Sequence, residues 1–260
     1  MNRIRQTFNQ LRSSGKKAFI PYIMGGDPGL SETARLIELL SATGADLIEV
    51  GVPFSDPLAD GPVIQQAGIR SLQNGCTLEK LLLTLKGVTS KVQTPVILMI
   101  YYNMIMKWGV QRFAQSVAEA GCSGLIIPDL PPDEAGEMIQ LASIHSLGLN
   151  FLVAPTSADL RITLAAKEST GFLYAVSLKG VTGARESLPP ELPGFVKRVK
   201  SLTSGPVAVG FGISTPAQAH MVAELADGVI VGSAMVKAVA SDPSLEAARK
   251  LAAELRKGIG

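Results

Sequence analysis

Short runs of Ile, Val and Leu alternate with helix-period stretches from one end of the sequence to the other, and this alternation constrains the fold more than any other feature. Strand-like runs fall at 18–24, 46–52, 96–101, 124–127, 150–153, 172–176, 207–210 and 228–231. Helical candidates between them include 31–41, 78–85, 110–120, 133–146, 159–167, 193–202 and 216–225. Strict strand–helix alternation implies a parallel sheet. Eight repeats of about 30 residues match a (β/α)8 barrel, or TIM barrel, of about 250 residues. A doubly wound open sheet would place a GxGxxG turn after its first strand. The turn found there is Gly25-Gly26-Asp27-Pro28-Gly29, which does not match. No linker or composition break divides the 260 residues, so the expectation is an α/β fold in one TIM-barrel domain. Ile4, Phe8 and Leu11 add a short amphipathic helix ahead of the first strand.

In such a barrel the chemistry sits at the C-terminal ends of the strands, so the residues there are the candidates for a site. The second strand carries an anomaly, a carboxylate at Glu49 inside Leu47-Ile48-Glu49-Val50-Gly51-Val52. Both faces of that strand are otherwise apolar, so Glu49 is expected inside the fold, where an unpaired carboxylate is costly. The loop that follows, Pro53 to Pro62, holds three prolines and brings in Asp56 and Asp60. Two carboxylates in unlike surroundings divide proton transfer from charge stabilisation, whereas the plain alternative is a structural ion pair at Glu49 and solvated loop acids at Asp56 and Asp60. Asp129 follows the fourth strand, as a site residue or a turn residue. Tyr22, Tyr101 and Tyr174 offer aromatic walls or ordinary packing.

Glycine-bearing turns cluster late in the chain: Gly180-Val181-Thr182-Gly183, Gly210-Phe211-Gly212-Ile213-Ser214 and Gly232-Ser233. Glycine admits close approach of an anion, and a helix start directs N–H groups at it. Loops after the last two strands of barrels recurrently bind phosphate, so a phosphorylated ligand is expected.

Other chemistry is excluded by what the sequence lacks. His145 and His220 both fall in expected helices, which leaves no histidine cluster for a metal. No GxSxG elbow or Cys–His pair lies at a strand end. Lys179 is a solvated charge or, in a rival reading, a Schiff-base lysine. A net charge of +2 argues against nucleic acid or an anionic membrane as partner. Two cysteines and no secretory leader suit the cytoplasm.

The segment EVGVPFSDPLADGP from Glu49 to Pro62 is specific enough to carry a resemblance, together with Gly26-Asp27-Pro28, Pro128-Asp129-Leu130-Pro131 and the glycine turns. In order and spacing these resemble the alpha chain family of tryptophan synthase. The resemblance implies retro-aldol cleavage of indole-3-glycerol phosphate to indole and glyceraldehyde 3-phosphate. It assigns general acid–base work to Glu49 and stabilisation of the protonated indole to Asp60. It also implies an indole pocket of Phe211, Ile64, Ile100 and Tyr174, with Thr182 holding Asp60 when its loop closes. Phosphate binding would fall to Gly183, Gly212, Gly232 and Ser233.

No cofactor is implied in this chain. The implied partner is a pyridoxal-phosphate-dependent beta chain in an alpha2-beta2 heterotetramer, which receives indole through a tunnel. The loop from Pro53 to Asp60 would lie near that interface and take part in allosteric signalling. In the later loop that begins Ser177-Leu178-Lys179, Lys179 is not given the place that an Arg near the loop start holds in some members. The rival readings are a stand-alone lyase of the same chemistry, a Schiff-base aldolase and a non-catalytic regulatory subunit.

Overall fold

The computed structural model describes residues 2–176 and 188–260. The chain begins with α1 (Arg3–Ser13), β1 (Ala18–Met24), α2 (Leu30–Ala42), β2 (Ile48–Gly51), α3 (Pro62–Gln73) and α4 (Leu78–Thr89). It continues with β3 (Val96–Met99), α5 (Tyr102–Trp108), α6 (Val110–Glu119), β4 (Gly124–Ile126) and α7 (Gly136–Ile144). Then come β5 (Gly148–Asn150), β6 (Leu152–Val153), α8 (Asp159–Glu168) and β7 (Leu173–Val176). The described chain ends with α9 (Leu192–Ser201), β8 (Val207–Gly210), α10 (Pro216–Leu225), β9 (Gly228–Val231), α11 (Ser233–Ser241) and α12 (Glu246–Ile259).

The strands form one parallel sheet in the order β5-β4-β3-β2-β1-β9-β8-β7-β6. Its two ends, β5 and β6, are separated in the chain only by Phe151, so the order closes on itself as a barrel. The strand expected at 150–153 is therefore divided in two, and the physical reason lies at the closure. Up to Asn150 the chain pairs with β4, and from Leu152 it pairs with β7. Between them Phe151 donates its N–H to Ser169 Oγ at 3.1 Å and accepts from the Tyr174 N–H at 2.9 Å. Asn150, itself buried, spans the seam: Nδ2 donates to the Leu125 carbonyl at 3.0 Å and Oδ1 accepts from the Phe172 N–H at 2.8 Å. One side chain thus replaces ladder hydrogen bonds that the bend removes.

Alternation along each strand divides the core into two shells. Ala18, Ile20, Leu47, Ile97, Ile126, Phe172, Ala208 and Ile230 fill the barrel, while residues of opposite parity, such as Phe19, Ile48, Val50 and Leu98, meet the helices. The N-terminal helix closes the floor. Asn2 caps it by accepting the Arg5 N–H, and its Ile4 and Phe8 are buried in the barrel cluster, with Phe8 and Phe172 ring centroids 5.6 Å apart. Arg3 reaches the Gln93 carbonyl, and Arg5 reaches those of Ser169 and Thr170, all just ahead of strands. With the floor sealed, the open end is the one where the strands finish.

The expected helices recur with small shifts, except that 133–146 contracts to α7, which leaves His145 at its C-cap. The helices α3, α5 and α12 come in addition. The last buries Ala248, Ala252, Leu255 and Ile259, a single face at helical spacing, and its Arg256 donates to Asp46 Oδ2 at 2.6 Å. No helix among the described residues is long and apolar enough to cross a membrane.

Removing the seam side chain by Asn150→Ala leaves a buried carbonyl and a buried N–H unpaired. The expected cost is about 3 kcal/mol in urea unfolding. A loss below about 1 kcal/mol would show that the seam does not depend on this residue.

Candidate functional site

Glu49 projects into the barrel because the parallel register pairs it with Tyr22 on one side and Ile97 on the other. It is 0% exposed, and neither carboxylate oxygen has a hydrogen-bond partner. The ion-pair alternative at this position is thereby removed among the described residues. Loss of hydration, with the nearby Asp60 charge as a second cause, pushes its carboxyl up to about 8 from an ordinary 4.5. At neutral pH this side chain is predominantly a carboxylic acid.

Two tyrosines stand beside it, and glycines make their places. The next inward position of β2 is Gly51, where a β-carbon would collide with the Tyr22 ring; at the end of β8, Gly210 would bring one to 2.9 Å from Tyr174. Tyr22 is buried and Tyr174 partly so, and both phenols are held well above their ordinary range by desolvation and by the charges of Asp60 and Glu49.

The loop after β2 folds back over this mouth. Phe54 packs on Tyr101 with ring centroids 5.3 Å apart, the Ala59 N–H donates to the Tyr101 hydroxyl at 3.0 Å, and that hydroxyl bonds to the Asp60 carboxylate. Gln65 Nε2 donates to the Asp60 carbonyl at 2.9 Å. Desolvation lifts Asp60 to about 6, with the Tyr101 hydrogen bond opposing the rise. Asp56 lies exposed at the loop tip, bonded to Ser55. Asp129 takes the turn role, accepting the Tyr102 N–H at 2.8 Å at the start of α5.

Ile64, on the first turn of α3, packs with Tyr22, Met24 and Val236 and lies close to Gly232, where a β-carbon would come to 3.7 Å from its Cδ1. This joins the two carboxylates to the β9–α11 turn. Gly232 precedes α11, which starts at Ser233 with no side-chain cap. The neighbouring α10 differs: Thr215 and Gln218 form a reciprocal capping box, and Gln218 Oε1 accepts from the N–H groups of Ser214 and Thr215. Gly212, in the turn from β8 to α10, adopts φ +71, a left-handed conformation suited to glycine.

One expected pocket residue, Ile100, lies elsewhere. Ile100 is a correction: it falls in the shell between barrel and helices, because inward positions on the third strand continue from Ile97 through Met99 to Tyr101. Met99, which packs toward Tyr22 and Met24, takes the inward place, and counting by two from Ile97 would have found it. Phe211, opposite in parity to Gly210, packs on Phe195 of α9 with centroids 6.1 Å apart. Thr182, Gly183 and Lys179 lie outside the described residues.

Fold and mouth together define a parallel (β/α)8-barrel protein with two carboxylates of unlike ionisation at its strand ends, where barrel enzymes carry their chemistry. The sequence profile of the family described as tryptophan synthase alpha chain matches residues 8–258. The tryptophan synthase alpha chain of Dehalococcoides mccartyi is 47% identical over 259 residues, covering 100% of both chains. Among solved structures, a chain of Mycobacterium tuberculosis tryptophan synthase superposes with a TM-score of 0.92 at 39% identity, covering 99% of this chain and 98% of that one. Tryptophan synthase subunit alpha from Legionella pneumophila gives a TM-score of 0.92 at 39% identity, covering 100% and 98%. The chain belongs to the tryptophan synthase alpha chain family.

The raised carboxyl of Glu49 has a consequence for stability. Between pH 4.5 and about 8 the folded chain holds a proton that the unfolded chain has released. The contribution of Glu49 is therefore full below about 4.5 and is lost as pH rises to about 8, at a limit of roughly 1.4 kcal/mol per unit. In urea unfolding between pH 5 and 8, wild type is expected to lose stability relative to Glu49→Gln by a few kcal/mol, on the order set by this linkage. Parallel pH curves for the two proteins would refute the assignment.

Proposed function

We propose that the protein catalyses retro-aldol cleavage of indole-3-glycerol phosphate to indole and glyceraldehyde 3-phosphate. The observation that carries this reading is Glu49: a buried, unpartnered carboxyl raised to about 8, facing the same mouth as Asp60. Cleavage needs a proton delivered to the ring carbon that carries the side chain, and a proton removed from the neighbouring hydroxyl. Neutral Glu49 supplies the first, and its carboxylate then accepts the second. The carbon–carbon bond breaks as the hydroxyl becomes an aldehyde, and its electron pair returns to the ring to give indole. Glu49 ends as it began, protonated.

Asp60 accepts the indole N–H and stabilises the positive charge that the ring acquires on protonation, a role that requires the carboxylate form. Tyr22, Met99, Tyr174 and Ile64 offer the flat apolar walls on which the ring rests. Phosphate binding is assigned to Gly212, Gly232 and Ser233, with Gly183 contributed by residues outside the described ones. The uncapped start of α11 and its contact with Ile64 support this placement. Thr182 and Phe211 complete the site on this reading when the loop that carries Thr182 closes. One barrel domain in the cytoplasm, without a cofactor of its own, passes indole to a pyridoxal-phosphate-dependent beta chain in an alpha2-beta2 assembly. The exposed tip of the Pro53–Asp60 loop, with Leu58 94% exposed, suits a partner surface.

The deciding experiment is indole release from indole-3-glycerol phosphate by the purified chain, with and without a beta chain. Cleavage stimulated by the beta chain is expected; none under either condition would overturn the reading. Glu49→Gln should abolish cleavage while binding of glycerol phosphate stays within about threefold, and Asp60→Asn should remove about 99% of the rate, as losses of proton transfer and charge stabilisation do. The rate should follow a bell against pH, falling below about 6 as Asp60 gains a proton and above about 8 as Glu49 loses one.

A further inference from the structure

Tyr101 makes more contacts with the loop after β2 than wall packing requires. Its ring carries Phe54 at the start of the loop, and its hydroxyl takes the backbone N–H of Ala59 and the side chain of Asp60 at the end. A phenol has one O–H to give and lone pairs to receive, so the hydroxyl accepts from Ala59 and donates to Asp60. Two successive residues are thereby gripped by one oxygen. The ring is 4% exposed, which leaves it no freedom to follow the loop outward.

Tyr101 is itself held. It is the N-cap residue of α5, and the following N–H, that of Tyr102, is donated to Asp129 Oδ1 at 2.8 Å. Asp129 lies just beyond β4, so two adjacent strand ends are tied together at the residue that grips Asp60. We propose that Tyr101 is the positioning residue of Asp60, and that Asp129, acting through the backbone of Tyr102, fixes where the Tyr101 hydroxyl points. This rests on the function proposed above.

The charges around Asp60 explain why a donor is needed. Among the described residues, the titratable groups facing it are Glu49 from β2, Tyr22 from β1, Tyr101 from the β3–α5 turn and Tyr174 from β7, with Asp129 behind Tyr101. None of these is a cation. Burial favours the neutral acid at Asp60, and the hydroxyl of Tyr101 acts in the opposite direction. Without it, the carboxylate form should persist only at higher pH.

The test is steady-state cleavage of indole-3-glycerol phosphate by the full chain between pH 5.5 and 9, for wild type, Tyr101→Phe, Asp129→Ala and the double variant. Tyr101→Phe should lower kcat about tenfold with KM within about twofold, and move the acid limb up by about half to one pH unit, the size of effect expected for one lost hydrogen bond to a charge. Asp129→Ala should act in the same direction by less, and add little in the Tyr101→Phe background, because the two act through one hydroxyl.

A second readout does not depend on turnover: the Asp60 carboxyl, titrated by carbon-13 NMR, should shift upward in Tyr101→Phe. If wild type does not cleave the substrate, the proposed function fails while this titration still decides the positioning role. If Tyr101→Phe does not fold, 3-fluorotyrosine incorporated at Tyr101, a stronger donor of nearly the same size, should move the Asp60 titration downward. An Asp60 titration unmoved by the folded variant would overturn the proposal. So would additive effects of the Tyr101 and Asp129 changes.

Discussion

A closed ring of parallel strands must fill its own interior, and here the two ends of the ring are filled by opposite chemistry. At the floor, Ile4 and Phe8 of α1 complete an apolar plug around Phe172. At the mouth, the inward positions carry Tyr22, Glu49 and Tyr174, and Gly51 and Gly210 give up side chains so that the two rings fit. Among the described residues, no counter-charge is supplied to the buried carboxyl of Glu49. A carboxyl in that setting is costly as an anion and mild as an acid, which is why Glu49 holds its proton to about pH 8. The polar loop above it keeps Asp60 closer to ordinary behaviour, at about 6. The separation between the two groups follows from depth and from a single tyrosine hydroxyl.

Much of this was legible in the residues. The parallel barrel follows from strand–helix alternation, and burial of Glu49 follows from apolar neighbours on both faces of its strand. Where local pattern failed, a contact distant in sequence had decided the matter. The run from Pro95 to Met106 is apolar except at Asn103, yet it divides into β3 and α5, where Asp129 captures the N–H of Tyr102. The strand expected at 150–153 breaks at Phe151 because the closing seam changes partners there. Ile100 was misplaced for a different reason: a β-strand has two faces, and one residue's slip exchanges them. The register with Glu49, rather than hydrophobicity, picks out Met99.

The two helix starts beside the last strands show how similar sequences take different local roles. Ser214-Thr215-Pro216 and Gly232-Ser233 both look like helix openings that could receive an anion. In α10 the side chains of Thr215 and Gln218 saturate the entry, so its N–H groups serve the protein itself. In α11 the entry is a glycine, which has no side chain to spend on capping. The difference reduces to two positions, Thr215 and Gln218 in α10, where α11 has Gly232 and Met235.

The way α1 is fastened bears on how the chain is assembled. Its Asn2 donates to the carbonyl of Thr170, a separation of 168 residues, and Arg5 reaches the same segment. The first helix therefore has no complete docking site until β7 is within reach, and the barrel floor remains open through most of synthesis. Contacts of such long sequence separation form slowly, since the intervening chain must be ordered before they are rewarded. The plug that finishes the interior is made first in time and seated among the last. During that interval, Ile4 and Phe8 are apolar surface on a nascent chain, of the kind that chaperones recognise.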